Sequence, residues 1–265
     1  KEMTNVLTKI CDDKHIHINK QKAVFSLANQ EEFASKADKT RGFAKRLSEI
    51  SKSSKYGVIA EIKKASPSRG LIRKNFDAAK IAFEYQSGGA ACVSVLTDEP
   101  YFKGKDSDLV NAKKAVTLPV LRKDFIIDSY QIPESRALGA DCILLIVAAL
   151  DRLLANELAI QAHEWDMDVL IEVHNIEELE KALLIESDLI GINNRNLKSL
   201  EVDISTTENL APLVPKERIT VSESGLFTAD DLKRMSNKGV NCFLIGEALM
   251  RQKNISGSLK ELLES

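Results

Sequence analysis

Glu61 and Lys63 stand two residues apart at the end of an apolar run, Val58-Ile59-Ala60-Glu61-Ile62-Lys63. On a strand that spacing turns both side chains to the same side, so a carboxylate and an ammonium share one space. Such a pair can move a proton or hold an anion beside a base. Taken alone, Glu-x-Lys is more often a plain ion pair than a site. The pattern recurs, however. Further short apolar runs end in Arg122-Lys123-Asp124, in Glu172 within Leu-Ile-Glu-Val-His, in Asn193-Asn194-Arg195, in Ser222-Glu223-Ser224-Gly225 and in Gly246-Glu247. After the first run, Ser66-Pro67-Ser68-Arg69-Gly70 has the composition of a turn and carries donors suited to an anion. Acids, ammonium groups and amides repeated at run after run are hard to explain as surface chemistry.

The elements that must position these residues are short and regular. Strand candidates fall at residues 58–62, 91–96, 119–122, 141–147, 168–173, 189–193, 218–222 and 241–246. Each is apolar without full alternation, as expected of strands buried on both faces. Amphipathic stretches at 77–86, 130–138, 155–163, 176–185 and 229–235 separate them, and Gly88-Gly89, Gly139 and Gly239 fall where helices need a left-handed cap. Strand–helix alternation repeated eight times predicts an α/β fold, a closed (β/α)8 TIM barrel. An open Rossmann-like sheet is the alternative, but no GxGxxG follows the first strand. Two helices are expected before the first strand. The first lies within residues 1–27, and the second spans 31–51 with Phe33, Phe43, Leu47 and Ile50 on its apolar face. One domain over 1–265 is predicted, with 1–56 a helical extension and 57–265 the barrel. His15 and His17 lack a third ligand at useful spacing for a metal.

At 265 residues, 44% hydrophobic and 29% charged, the chain can bury a large core. A net charge of −2 argues against a nucleic-acid partner. No apolar run approaches the ~18 residues of a membrane span, and the first residues lack a secretory h-region. Cys11, Cys92, Cys142 and Cys242 are scattered, three of them in apolar runs, which suits a reducing cytoplasmic setting.

In a barrel the strand ends converge on one face, and a phosphate site commonly forms after strands seven and eight. Ser224-Gly225 and Gly246-Glu247 occupy those two places, so a phosphate ester is the expected ligand. The ordered set IAEIKKASPSRG, VLRKDFIID, LIEVH, GINNRNL, VSESG and LIGEALM resembles the indole-3-glycerol phosphate synthase family over essentially the whole chain. The resemblance implies conversion of 1-(2-carboxyphenylamino)-1-deoxyribulose 5-phosphate to indole-3-glycerol phosphate, with loss of carbon dioxide and water. It implies no metal and no organic cofactor, and a monomer acting on a small phosphorylated substrate, with association with other tryptophan-pathway enzymes as a further expectation.

By motif match, Lys123 is the general-acid candidate, expected to be desolvated and flanked by cations that lower its pKa. Lys63 matches the other essential lysine, Glu172 the base of the dehydration, and Glu61 the partner that orients the lysines. Asn193 completes the catalytic set. Ser66 and Arg195 are expected at the substrate carboxylate, Phe125 at its ring, and Glu223 as support. Ser224, Gly225, Gly246 and Glu247 match the phosphate site. Many family members carry Ser where this chain has Glu247; a carboxylate cannot donate to phosphate, so its side chain is expected to point away.

Two alternatives stay open on sequence. Phosphoribosylanthranilate isomerase shares the phosphate site but is expected to use a Cys–Asp pair, and no Cys here ends a strand. A non-catalytic barrel would not need Lys63, Lys123 and Glu172 together.

Overall fold

The computed structural model describes residues 6–265; the first five residues of the predicted extension lie outside the described residues. Eight parallel strands close into a barrel. They are β1 (Gly57–Ile62), β2 (Cys92–Leu96), β3 (Val120–Lys123), β4 (Cys142–Ile146), β5 (Asp168–Val173), β6 (Leu189–Asn193), β7 (Ile219–Glu223) and β8 (Cys242–Ile245). Each pairs with the next, and β8 returns to β1 with Gly57 opposite Cys242 and Ala60 opposite Ile245. Helices alternate with the strands, and Gly89, Gly139 and Gly239 take the expected positive φ. The predicted turn at 66–70 is a small hairpin, Ala65–Ser66 against Gly70–Leu71.

Period-two alternation divides every strand between two cores. Val58, Ala60 and Ile62 of β1 pack outward against helices, as do Val93, Val95, Val169, Ile171 and Val173. Ile59, Cys92, Leu121, Cys142, Leu170, Leu189, Val221 and Cys242 fill the interior. In β1, β3, β5, β6 and β7 the inward series passes from apolar to polar toward the carboxyl end, whereas that of β4, Cys142, Leu144 and Ile146, stays apolar. That change is what separates a packed base from a chemical mouth.

Three helices, not two, precede β1: α1 (Val6–Val24), α2 (Leu27–Ser35) and α3 (Phe43–Lys52). The predicted helix at 31–51 breaks at residues 36–42, where Gly42 takes φ +70 and starts α3. The break lets the extension serve both ends of the barrel. Phe43 and Leu47 of α3 pack into the interior cluster at the base. The Arg41 and Ala44 N–H groups donate to Asp141 and Asp168, both at 2.8 Å, at the amino ends of β4 and β5. Val6, Leu7 and Ile10 of α1 reach the opposite face and line the cleft there. His15 and His17 are exposed on α1. No helix among the described residues is long and apolar enough to cross a membrane.

Candidate active site

The thirteen residues given a catalytic or binding role from the sequence line one cleft at the carboxyl end of the barrel: Glu61, Lys63, Ser66, Lys123, Phe125, Glu172, Asn193, Arg195, Glu223, Ser224, Gly225, Gly246 and Glu247. Strand pleating brings them in. Glu61 shares the inward side of β1 with Ile59, and Lys63 continues that side just past the strand. Glu61 Oε2 accepts from Lys123 Nζ and from Ser94 Oγ, each at 3.0 Å. Lys63 Nζ lies 3.4 Å from Oε1 of the same carboxylate. Burial alone would raise the Glu61 pKa, but Lys123 and Lys63 outweigh it and hold the group ionised, below its ordinary value.

Lys123 corrects one expectation. Flanking cations are expected to lower its pKa, but the guanidinium of the adjacent Arg122 points outward, by alternation along β3. There Arg122 meets Glu134 Oε1 at 2.6 Å, Asp106 Oδ1 at 3.1 Å and the Ser135 hydroxyl at 3.0 Å. Burial pulls the Lys123 pKa down, yet Glu61, Glu223 and Glu172 together push it above the ordinary lysine value. The ammonium is thus a fully charged donor surrounded by carboxylates.

Glu172 and Glu223 face each other from β5 and β7, across β6. Gly191 of β6 makes the room, since a Cβ there would fall 2.5 Å from Glu223 Oε2. Burial first, and then the charge of Glu172, raises the Glu223 pKa well above the usual carboxylate range. His174 adds a contact that the sequence reading missed: Nε2 lies 3.6 Å from Glu172 Oε2, while Nδ1 is 2.8 Å from Glu178 Oε1. Its place in the Leu-Ile-Glu-Val-His run, two residues after Glu172, was the available signal.

Asn193 Oδ1 accepts from Ser224 Oγ at 2.8 Å and from the Arg195 N–H at 3.0 Å, tying the ends of β6 and β7. Asn194 instead faces away, bonding Ser222, Ser224 and Thr207. Arg195 donates Nη1 to the Leu200 carbonyl at 2.9 Å. Ser224 and Gly225 both have positive φ, +72 and +76. Gly246 lies against the first strand, because a Cβ there would sit 3.2 Å from Glu61 Cβ and 3.3 Å from its Oε1.

Glu247, whose side chain is expected to point away from the phosphate, has two cationic partners. Its Oε1 lies 3.3 Å from Arg69 Nε on the hairpin after β1 and 3.1 Å from Arg251 Nε. The carboxylate therefore lies at the cleft rim between two guanidinium groups. Arg69 was legible in the sequence only as part of an anion-suited turn.

Phe125 lines the cleft beside Phe102, their ring centroids 6.0 Å apart and tilted by 38°. Phe102 was not foreseen; Asp98-Glu99-Pro100, a helix-start signal four residues ahead of it, would have pointed there. No group of three or more His, Cys, Asp or Glu among the described residues is placed to hold a metal ion.

Comparison with known proteins places this geometry. A family profile described as "Indole-3-glycerol phosphate synthase" matches residues 7–262. An indole-3-glycerol phosphate synthase of Azospirillum brasilense is 54% identical over 261 residues, 98% of this chain and 100% of that protein. One from Rhodospirillum rubrum is 49% identical, again over 98% of this chain and 100% of the relative. Among solved structures, a 3-hexulose-6-phosphate synthase aligns with TM-score 0.62 at 14% identity, covering 78% of this chain and 98% of that one. The N-acetylmannosamine-6-phosphate 2-epimerase of Clostridium perfringens gives TM-score 0.59 at 16% identity, covering 81% and 96%. These two likenesses concern the fold.

Proposed function

Because the chain belongs to the indole-3-glycerol phosphate synthase family, we propose that the cleft at the barrel mouth is its active site and that the converging lysines and carboxylates run the reaction. The enzyme is a carboxy-lyase of tryptophan biosynthesis. It closes the pyrrole ring of 1-(2-carboxyphenylamino)-1-deoxyribulose 5-phosphate and releases carbon dioxide and water.

The observation that carries the site assignment is the Lys123 ammonium, 3.0 Å from Glu61 and among three carboxylates in the cleft. Ring closure needs a proton or strong donor at the ketone oxygen as the ring carbon attacks. Lys123 supplies it in this reading, with Glu61 orienting the ammonium and Lys63 adding a second positive charge. Loss of the carboxylate as carbon dioxide then leaves its bonding electron pair in the six-membered ring and restores aromaticity. Dehydration follows: Glu172 removes the proton while a lysine ammonium protonates the departing hydroxyl. Glu223, facing Glu172 across β6, is the supporting acid of the pair. Ser66 and Arg195 receive the substrate carboxylate, Phe125 and Phe102 its ring, and the Ser224-Gly225 and Gly246-Glu247 backbones the phosphate. Asn193 fixes the geometry between the last two groups.

Residues 1–265 act as one domain in this reading, because α1 lines the cleft and α3 closes the base. Scattered free cysteines, three of them buried, support the cytoplasm as its compartment. The test is direct: incubation with the carboxyphenylamino-deoxyribulose phosphate should produce indole fluorescence, abolished in a Lys123→Met, Glu172→Gln double variant. Undiminished turnover in that variant would remove both residues from the chemistry.

A further inference from the structure

Lys14 is a buried cation far from the chain's other chemistry in sequence, yet it is held between the two segments that carry the cleft phenylalanines. It lies in the middle of α1 at 6% exposure. Its Nζ is 2.8 Å from Asp98 Oδ1 and 2.9 Å from Asp124 Oδ1, both carboxylates being almost fully buried. Each carboxylate in turn fixes backbone next to a pocket ring. Asp98 Oδ2 accepts the Tyr101 N–H at 3.0 Å, one residue before Phe102. Asp124 Oδ1 accepts the Phe125 N–H at 2.7 Å. A second link from α1 reinforces the first, since Tyr101 donates its hydroxyl to Asp13.

We propose that Lys14 is a positioning residue for substrate binding: its ammonium clamps Asp98 to Asp124 and so sets Phe102 and Phe125 as one continuous wall for the substrate's aminobenzoate ring. The physical ground is charge. Asp98 and Asp124 approach the same point, and without the cation they would repel each other in a medium that screens poorly. Thr97, the residue before Asp98, donates its hydroxyl to Asp124 Oδ2, and Arg122 Nη2 lies 3.8 Å from the same oxygen, so the two segments are already joined once on that side. Lys14 is the bridge between the two carboxylates themselves, and it arrives on the same helix that brings Val6, Leu7 and Ile10 to the cleft. A buried ammonium is a costly way to fasten a helix; here it also sets the distance between two loops.

The proposal rests on the reading of Phe102 and Phe125 as the ring wall, and the experiment separates the two. The probe is the substrate analogue with its ketone reduced to an alcohol, which binds but cannot cyclise. Lys14→Met should weaken its Kd, and raise the substrate KM, by about tenfold, while kcat changes by less than about threefold. Lys14→Met alone leaves two uncompensated carboxylates and lowers Tm, so Lys14→Met with Asp98→Asn restores the charge balance. If positioning is the role, Tm recovers in this double variant and Kd stays weak. Recovery of Kd together with Tm, or a Lys14→Met Kd within about twofold of wild type, would overturn the clamp. Phe125→Ala tests the wall itself. An unchanged Kd there sinks the wall reading and the proposal with it; weaker binding there alongside an intact Lys14→Met Kd overturns only the clamp.

Discussion

The Lys123 ammonium and the Glu61 carboxylate meet at 3.0 Å across the barrel interior, from strands that are not neighbours. Between them in the sheet lies β2, whose Ser94 hydroxyl donates to the same Glu61 oxygen. The ion pair thus closes a short polar arc over the first three strands, and the basicity of Lys123 depends on it.

Removing the acid should show this dependence. Lys123→Met is expected to lower kcat by about 10²-fold or more, with a much smaller change in affinity. Glu61→Gln should act on the same group from the other side. Glu61 raises the Lys123 pKa, so its loss should move the basic limb of the kcat/KM profile to lower pH. A basic limb that stays in place would separate Lys123 from that ionisation.

Glu172 is expected to act late. Glu172→Gln should slow dehydration, so that a decarboxylated but still hydrated intermediate accumulates in single-turnover quench with mass analysis. Recovery of unreacted substrate alone would move Glu172 to ring closure or earlier.

His174 gives the pH prediction. Burial pulls its pKa down, but the hydrogen bond to Glu178 and the charge of Glu172 outweigh it, leaving the value above the ordinary 6.5. A raised folded value means that the imidazolium's stabilisation is complete below pH 6.5 and is lost as pH rises through the folded pKa. The stability gap between wild type and His174→Gln should therefore narrow as pH rises from 6.5 into the alkaline range in urea unfolding. A gap that holds constant across that span would mean that the charged form contributes nothing.

The strand-eight end offers a contrast between two adjacent positions. Glu247→Ala removes a carboxylate already neutralised by Arg69 and Arg251. No substrate hydrogen bond is lost, so KM should stay within about threefold. A loss of about tenfold in kcat/KM would show that anchoring Arg69 matters to turnover. Gly246→Val should be severe, and for a reason visible only in three dimensions: the new Cβ would crowd Glu61 at 3.2 Å. The loss should appear in kcat as well as in KM. A pure KM effect would place the damage at the phosphate alone.

The residues legible from sequence are those that a strand delivers. Glu61, Lys123, Glu172, Asn193 and Glu223 each end an inward-facing series, and period two fixes their direction without further information. Arg122 shows the same rule applied less closely: one step from Lys123, it faces the opposite side and cannot depress that lysine. Lys14, Phe102 and the α1 residues at the cleft were not legible as site residues. They come from a helix and a loop whose placement depends on partners such as Asp98 and Asp124, far along the chain. The break between α2 and α3 was missed for a related reason. An apolar face running through 31–51 satisfies helical spacing, and only Gly42 hints that the chain must turn toward the base.

The extension that spans both faces of the barrel also sets an order of events during synthesis. Its anchors are carboxylates that emerge later: Ala44 of α3 is tied to Asp168, 124 residues downstream. At ~5–20 residues per second the ribosome takes ~6–25 s to cover that distance. For that interval Phe43 and Leu47 have no complete barrel base to enter, and for the earlier part of it α1 has no Asp124 to grip. A segment made before the barrel is therefore one that docks late, and any factor shielding its apolar face on the ribosome has a window of seconds in which to act.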